Sequence, residues 1–403
     1  MQIYRLAALM LAAVASITLG GKAAQAESFS VLHTFTGTPD GSRSRAALIN
    51  VGGTLYGTTF QGGAANVGTV FTITPTGVES VLYSFEHSAK EGAYTPKGGV
   101  DGEYPDAGLI NVGGVLYGTT GAGGNSGCGT VFTVTPSGVE AVLYAFKCSA
   151  ENDGASPAAG LLNVGGILYG TTYGGGANNL GTVFKVTKAG KETVVHSFGA
   201  TGDGTYPEAE LINVGGTLYG TTFEGGVHDL GTVFTISPAG NESVLYAFRR
   251  DNDANIPTAP LLNVGGTLYG TSELGGGNSC RKRYANCGAV FTITPNGHEA
   301  VLYTFKGKPD GNNPVGGLIN VNGTLYGTTS GGGDSKECGR EGCGTIFKLT
   351  PAGVETILHS FSPNDGTAPT ASLLKLGHFL YGTAYDGGDN GNINGSVFAV
   401  SHH

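Results

Sequence analysis

The tripeptide Leu-Tyr-Gly occurs seven times, its tyrosine falling at Tyr56, Tyr117, Tyr169, Tyr219, Tyr269, Tyr326 and Tyr381. The intervals are regular, roughly 50–60 residues, which marks a tandem-repeat architecture rather than a chain with one local motif. Each unit divides into four strand candidates, which in the first are Ala47–Val51, Thr54–Phe60, Thr69–Thr74 and Ser80–Phe85. The first connection is Gly52-Gly53, which becomes Asn322-Gly323 in the sixth unit and Gly377-His378 in the seventh. Gly-Gly and Asn-Gly suit a two-residue type I′ hairpin, whose central residues both need φ > 0. The third connection is Pro75-Thr76-Gly77, repeated as Pro136-Ser137-Gly138, Pro238-Ala239-Gly240 and Pro295-Asn296-Gly297. Pro sets the first corner of such a turn and Gly accepts the left-handed one. Two hairpins per unit make a four-stranded antiparallel sheet.

Neither face of these strands is polar: Val70 and Phe71 are adjacent, as are Val81 and Leu82. A sheet apolar on both faces must be covered on both, and a radial propeller does so by packing each sheet between two copies of itself. The seventh unit supplies Leu373–Leu376, Phe379–Ala384 and Ser396–Val400, then stops without a fourth strand. Phe29–Phe35 matches that missing strand, because its Ser-Val-Leu-His-Thr-Phe parallels Ser80–Phe85. One spare strand and one missing strand predict an all-β, seven-bladed β-propeller of four-stranded antiparallel blades, the last blade closed by the N-terminal strand. No sustained helical period competes with this reading.

The units resemble kelch-type blades, whose first strand ends in Gly-Gly before a Leu-Tyr strand, although kelch blades usually carry a fourth-strand Trp and this chain has none. They are more similar to the GloVer tandem-repeat family of bacterial exported proteins, whose LYGTT…GG…GTVF…TP.G phrase recurs through residues 28–400. That resemblance implies the repeat fold and export, and no settled biochemical activity.

Residues 1–26 read as a secretory signal: a short basic start, the apolar run Leu6–Gly20, and Ala24-Gln25-Ala26 as the cleavage site. Residues 27–403 then form a single propeller domain, exported to the periplasm or beyond the cell. No second apolar stretch approaches membrane length, so no transmembrane segment is expected after cleavage. The formal net charge of −9 argues against nucleic acid and anionic membrane surfaces as partners. A monomer is expected.

The Gly-Gly and Pro-x-Gly turns share one face of the ring and barely vary. The second-to-third and fourth-to-next-first loops share the other face and vary in length and charge, so function is expected there. Six cysteines lie on that face, and an exported chain predicts the pairs Cys128–Cys148, Cys280–Cys287 and Cys338–Cys343. His33, His196 and His359 replace a fourth-strand Tyr and are expected to pack rather than ligate. His87 and His228 lie in variable loops, but neither HExxH nor paired CxxC exists. No metal and no obligate cofactor are therefore expected. Asp40, Asp101, Asp153, Asp203, Asp253, Asp310 and Asp365 open the linkers, usually before Gly, as turn formers. Asp386–Gly395 lacks the closing Glu of a calcium loop.

The fourth unit departs most. Before the first-strand Leu the copies place Ala47, Gly108, Gly160, Glu210, Pro260, Gly317 and Ser372, so Glu210 is the only charge at that position, on the strand nearest the axis. Glu208, Glu224, His228 and Asp229 are close in sequence, while Arg43 and Arg45 open the first blade and Asp386 and Asp389 lie in the seventh. Phe60, Tyr173, Phe223 and Tyr385 share one loop-opening position, where aromatic rings suit sugar stacking. These residues predict a binding propeller for a glycan, peptide or protein. An alternative is a carbohydrate-active hydrolase or lyase with Glu210 paired to Glu224 or Asp229, and a third reading is purely structural.

Overall fold

The computed structural model describes residues 28–86, 101–148, 150–237, 239–250, 252–277, 287–388 and 393–402. Seven four-stranded antiparallel sheets make a seven-bladed propeller. Blade 1 runs Ile49–Val51, Thr54–Thr59, Thr69–Ile73 and Glu79–Ser84 from the axis outward. Blade 7 takes Leu374–Leu376, Phe379–Ala384 and Ser396–Ser401 from the C-terminal end, and its outer strand is Phe29–Thr34. That strand pairs antiparallel with Ser396–Ser401, so the spare strand fills the gap that the seventh unit leaves.

The repeated phrase has a separate physical reason for each of its letters. In Ile-Asn-Val-Gly-Gly, Gly52 and Gly53 have φ 62° and 92°, and the Asn50 side chain accepts the Gly53 amide at 2.9 Å. Asn320 does the same for Gly323 at 2.8 Å. The seventh copy departs from the expected turn: Gly377 is left-handed, but His378 is not among the left-handed residues, and Lys375 stands where the other copies have Asn. In Leu-Tyr-Gly, Leu55 is fully buried and Gly57 lies opposite Phe71 in register. A Cβ on Gly57 would stand 2.6 Å from Phe71 Cζ, so the glycine leaves room for a ring that lies across the strand.

The same ring meets the neighbouring blade. Phe35, at the end of the outer strand of blade 7, packs edge-to-face on Phe71 of blade 1 at 5.2 Å. Each of the seven seams has such a pair, at 5.0–5.2 Å, ending with Phe361 on Phe398. All of these rings are fully buried. The threonine after Leu-Tyr-Gly adds a polar tie: Thr58 Oγ1 donates to the Ala107 carbonyl of the next blade at 3.0 Å, and Thr383 donates to Ala46 across the closing seam at 3.2 Å.

At the outer part of each seam the fourth-strand Tyr or His meets the linker aspartate. Tyr144 donates to Asp153 at 2.7 Å, Tyr246 to Asp253 at 2.8 Å, and His196 Nε2 lies 2.9 Å from Asp203. The first outer-strand residue of the next blade is a glutamate in blades 1 to 6, and one oxygen of each is shielded from solvent with no hydrogen-bond partner. Burial, then the neighbouring aspartate, pushes Glu140, Glu192 and Glu355 up to about 7. Between about pH 4.5 and 7 such groups are protonated in the fold and ionised in the unfolded chain. Their contribution is complete below the unfolded pKa and is lost as pH rises through the folded one. Tm is expected to fall by roughly 3–6 °C between pH 5 and pH 8.5, and scanning calorimetry of the triple variant Glu140→Gln, Glu192→Gln, Glu355→Gln should show a flatter pH dependence. An unchanged slope would place the titrating groups elsewhere.

Two disulfides fix variable loops: Cys128–Cys148, with Cα atoms 5.4 Å apart, and Cys338–Cys343 at 5.3 Å. Both match the expected pairs. Cys280 lies outside the described residues, as do His87 and Asp389. No helix among the described residues is long and apolar enough to cross a membrane.

Candidate functional site

The linker into each blade ends in a fixed backbone device. Just before the proline, or before Ser44 in blade 1, stands a non-glycine residue with positive φ: Arg43, Tyr104, Ser156, Tyr206, Ile256, Asn313 and Ala368, at 52–58°. A left-handed conformation costs a residue with a Cβ unless its surroundings hold it. Here two backbone bonds do so. The Tyr206 amide donates to Leu180 of the preceding blade at 2.9 Å, and its carbonyl accepts the Phe223 amide at 3.0 Å. Arg43 is held in the same way by Asn394 and Phe60, at 2.7 and 3.2 Å.

Two residues past each of these positions the chain reaches the axial mouth, where the ring reads Arg45, Asp106, Ala158, Glu208, Thr258, Val315 and Thr370. One layer deeper stand Ala47, Gly108, Gly160, Glu210, Pro260, Gly317 and Ser372. Adjacent members of this layer touch. A Cβ on Gly317 would lie 2.6 Å from Ser372 Oγ and 2.9 Å from Pro260 Cγ, and one on Gly160 would lie 3.0 Å from Glu210 Oε2. Glu210 therefore lies over Gly160, in space that a larger residue in blade 3 would fill.

The mouth is electrostatically lopsided. On the side of blades 7 and 1, Arg45 bonds Tyr385 Oη at 3.0 Å and Asp106 at 3.4 Å, with its guanidinium over the rings of Tyr385 and Phe60 at 4.5 and 4.7 Å. Arg43 pairs with Asp386 at 3.5 Å and also lies over Tyr385. Burial works against the Arg45 charge, but Asp106 and Tyr385 hold it above the usual guanidinium value. The opposite side is acidic and has no bonded cation among the described residues. Burial pushes Glu208 up to about 7, with Asp106, Glu273 and Glu224 adding to the shift and Arg45 opposing it. Burial alone brings Glu210 to about 7. Asp106 is raised by burial against the pull of Arg45, and Asp386 by burial against Arg43 and Arg45. One Asp106 oxygen and the hydroxyls of Thr258 and Thr370 lack hydrogen-bond partners. Near pH 7 the mouth thus carries carboxyl groups that both donate and accept.

The structure brings together Arg43, Arg45, Phe60, Tyr385 and Asp386 on one side, and Glu208, Glu224 and Tyr173 on the other. Phe60 stacks on Tyr104 at 5.0 Å and Tyr173 on Tyr206 at 4.7 Å, each spanning a seam. Tyr173 keeps 38% of its surface exposed, so it retains a free face. Phe223 is half-buried at the seam of blades 4 and 5. Glu224 lies in a two-residue strand opposite Thr205. Asp229 closes its own loop, accepting the Gly225 amide at 3.1 Å, as Asn66 and Asn179 do in blades 1 and 3. His228 lines an open depression of about 610 Å³ with Arg249, Arg250, Asn252, Asp253 and Glu299, away from the axial ring. Burial is the whole cause of the Glu210 shift, with no neighbouring charge contributing. Asp106, Tyr104, Tyr206 and Glu273 escape a reading of single copies; comparing the copies at the positions on either side of the linker proline and at the loop opening finds them.

The family model described as the Gloeobacter/Verrucomicrobia repeat matches residues 18–149, 94–284 and 280–403. No curated protein matches the chain by sequence. Among solved structures, a puromycin hydrolase is 12% identical with a TM-score of 0.51, over 86% of this chain and 50% of the other. A puromycin-hydrolyzing peptidase from Mycobacterium tuberculosis is 12% identical with a TM-score of 0.50, over 89% of this chain and 51% of the other. The chain spans about half the length of these two. A gluconolactonase from Xanthomonas campestris is 11% identical with a TM-score of 0.40, over 71% and 82% of the respective chains. At such identities the likeness concerns the fold alone.

Proposed function

The chain belongs to the Gloeobacter/Verrucomicrobia repeat family, and from that premise we propose that it is an exported binding propeller whose axial mouth takes a neutral, hydroxyl-rich ligand such as a glycan. The observation that carries this reading is the acidic pair at the mouth, Glu208 and Glu210, both pushed by burial up to about 7. A carboxyl near half-protonation donates to one hydroxyl and accepts from another, which suits a sugar better than an anion. Tyr173, stacked on Tyr206 with one face exposed, supplies the apolar platform that sugar rings need. Export is supported by the leader-like residues 1–26 and by two disulfides, which persist in oxidising compartments.

A second reading keeps Glu210 as a general acid in a carbohydrate-active hydrolase or lyase, because a raised carboxyl is what that role requires. A glycan and polysaccharide array probed with the chain lacking residues 1–26, with product analysis of each hit, separates the two. Binding without turnover is the expected result. New reducing ends or unsaturated sugars that vanish in Glu210→Gln would make the protein an enzyme. No binding to any glycan would overturn the glycan reading and direct the search to peptide partners.

A further inference from the structure

Three outer strands carry histidine where four carry tyrosine: His33, His196 and His359 against Tyr83, Tyr144, Tyr246 and Tyr303. All seven side chains reach the aspartate of the following linker. At two histidine seams a glutamate from the next blade completes a triad. In His33–Asp40–Glu79 and in His196–Asp203–Glu242, one ligand atom from each residue lies within 4.8 Å of the others. At the third seam Phe29 occupies the glutamate position and stacks on His359 at 3.6 Å.

The two triads have the dimensions of a coordination shell. His33 Nε2 and Asp40 Oδ2 are 3.1 Å apart, and His196 Nε2 and Asp203 Oδ2 are 2.9 Å apart. Two donors bonded at about 2.1 Å to one ion stand about 3.0 Å apart at a right angle and about 3.4 Å apart at the tetrahedral angle, so a shift of a few tenths of an ångström seats the ion. Glu79 and Glu242 each keep one oxygen shielded from solvent and without a hydrogen-bond partner. The aspartates are already oriented by backbone amides. Asp40 accepts from Gly41 at 2.6 Å and Thr36 at 3.0 Å, and Asp203 from Gly204 at 2.7 Å and Gly199 at 3.2 Å. Such outer contacts are what hold a ligating carboxylate in place. The side chains of His33 and His196 are 22% and 21% exposed, so an ion has a way in.

We propose that these two seams each bind one divalent transition-metal ion of the zinc class, through one imidazole nitrogen and two carboxylates with water completing the shell. Each ion ties an outer strand to the blade beside it, blade 7 to blade 1 and blade 3 to blade 4. The tyrosine seams keep the same acids but present a phenol hydroxyl, a weak ligand while protonated, in place of the imidazole.

Zinc itself is the probe. The untagged chain, stripped with chelator and dialysed against zinc, is compared with the double variant His33→Tyr, His196→Tyr by metal content per chain. Tyrosine is what four seams already hold, so the double variant keeps its fold, which circular dichroism of the metal-free proteins checks. The wild type is expected to carry two more ions than the double variant, and each single variant one fewer than wild type. Tyr83→His, which puts an imidazole beside Asp101 and Glu140, is expected to add one ion. A smaller difference between wild type and the double variant overturns the proposal, as does an unchanged count in Tyr83→His.

Discussion

A chain that begins at Gly37, lacking residues 28–36, is expected to lose its cooperative unfolding transition and to aggregate. Those residues supply the outer strand of blade 7, whose five paired positions lie against Ser396–Ser401. They also supply Phe35, which packs on Phe71 at 5.2 Å, and Phe29, which packs edge-on to Phe361 at 5.6 Å. Ser28 is bonded to Ser401 through both backbone and side chain. Without them, Ser396–Ser401, buried at every position, becomes an open apolar edge that invites pairing with other chains. Removing the fully buried Phe35 alone costs about 3–5 kcal/mol, and the half-buried Phe29 adds to it, against a whole domain stability of about 5–15 kcal/mol. Size-exclusion chromatography and urea unfolding of the truncated chain check this. A monomer with Tm within about 2 °C of wild type would mean that the ring does not depend on its closing strand. Rescue by an added peptide of residues 28–36 would locate the defect at that strand.

The second large effect concerns the glycine of the repeated phrase. Gly220 lies opposite Phe234, and a Cβ there would stand 2.5 Å from Phe234 Cζ and 2.7 Å from Leu211 Cδ2. Gly220→Ala is expected to cost about 1–3 kcal/mol through overpacking, and Phe234→Ala about 3–5 kcal/mol through the cavity beside Phe198. The two should not add, because removing the ring makes room for the methyl group. Denaturant unfolding of both single variants and the double variant measures the coupling. Additivity within about 0.5 kcal/mol would show that the glycine is not kept for the ring.

The architecture was legible because its signals are local. Gly52-Gly53 marks a hairpin wherever the chain goes, and the match of Phe29–Phe35 to Ser80–Phe85 needs only a comparison of letters. Strand ends came out one or two residues long, since Phe60 and Phe85 leave the ladder to make seam contacts that the alternation of side chains does not reveal. The partners across seams were less legible. Tyr144 and Asp153 are both repeated, but their bond depends on the turn that the linker takes, and each copy read singly shows only a strand residue and a turn former. Glu140 looks like a solvated strand start until the seam with the preceding blade buries one of its oxygens. At the mouth, Glu210 stood out because the other six copies are uncharged there. Asp106 and Glu208 are drawn into one field only by ring closure, blades apart. Asp229 drew notice as a charge, yet it does the work that asparagine does in other loops.

The most direct test of the account is calorimetric titration of the strongest glycan hit into wild type, Glu208→Ala, Tyr173→Ala and Val354→Ser. Val354 is exposed in a Pro-x-Gly turn on the opposite face and serves as the control. The account predicts at least a tenfold weaker Kd, about 1.4 kcal/mol, for each mouth variant and no change for the control. Equal affinity in all four proteins would contradict it, and would move the binding surface away from the axis.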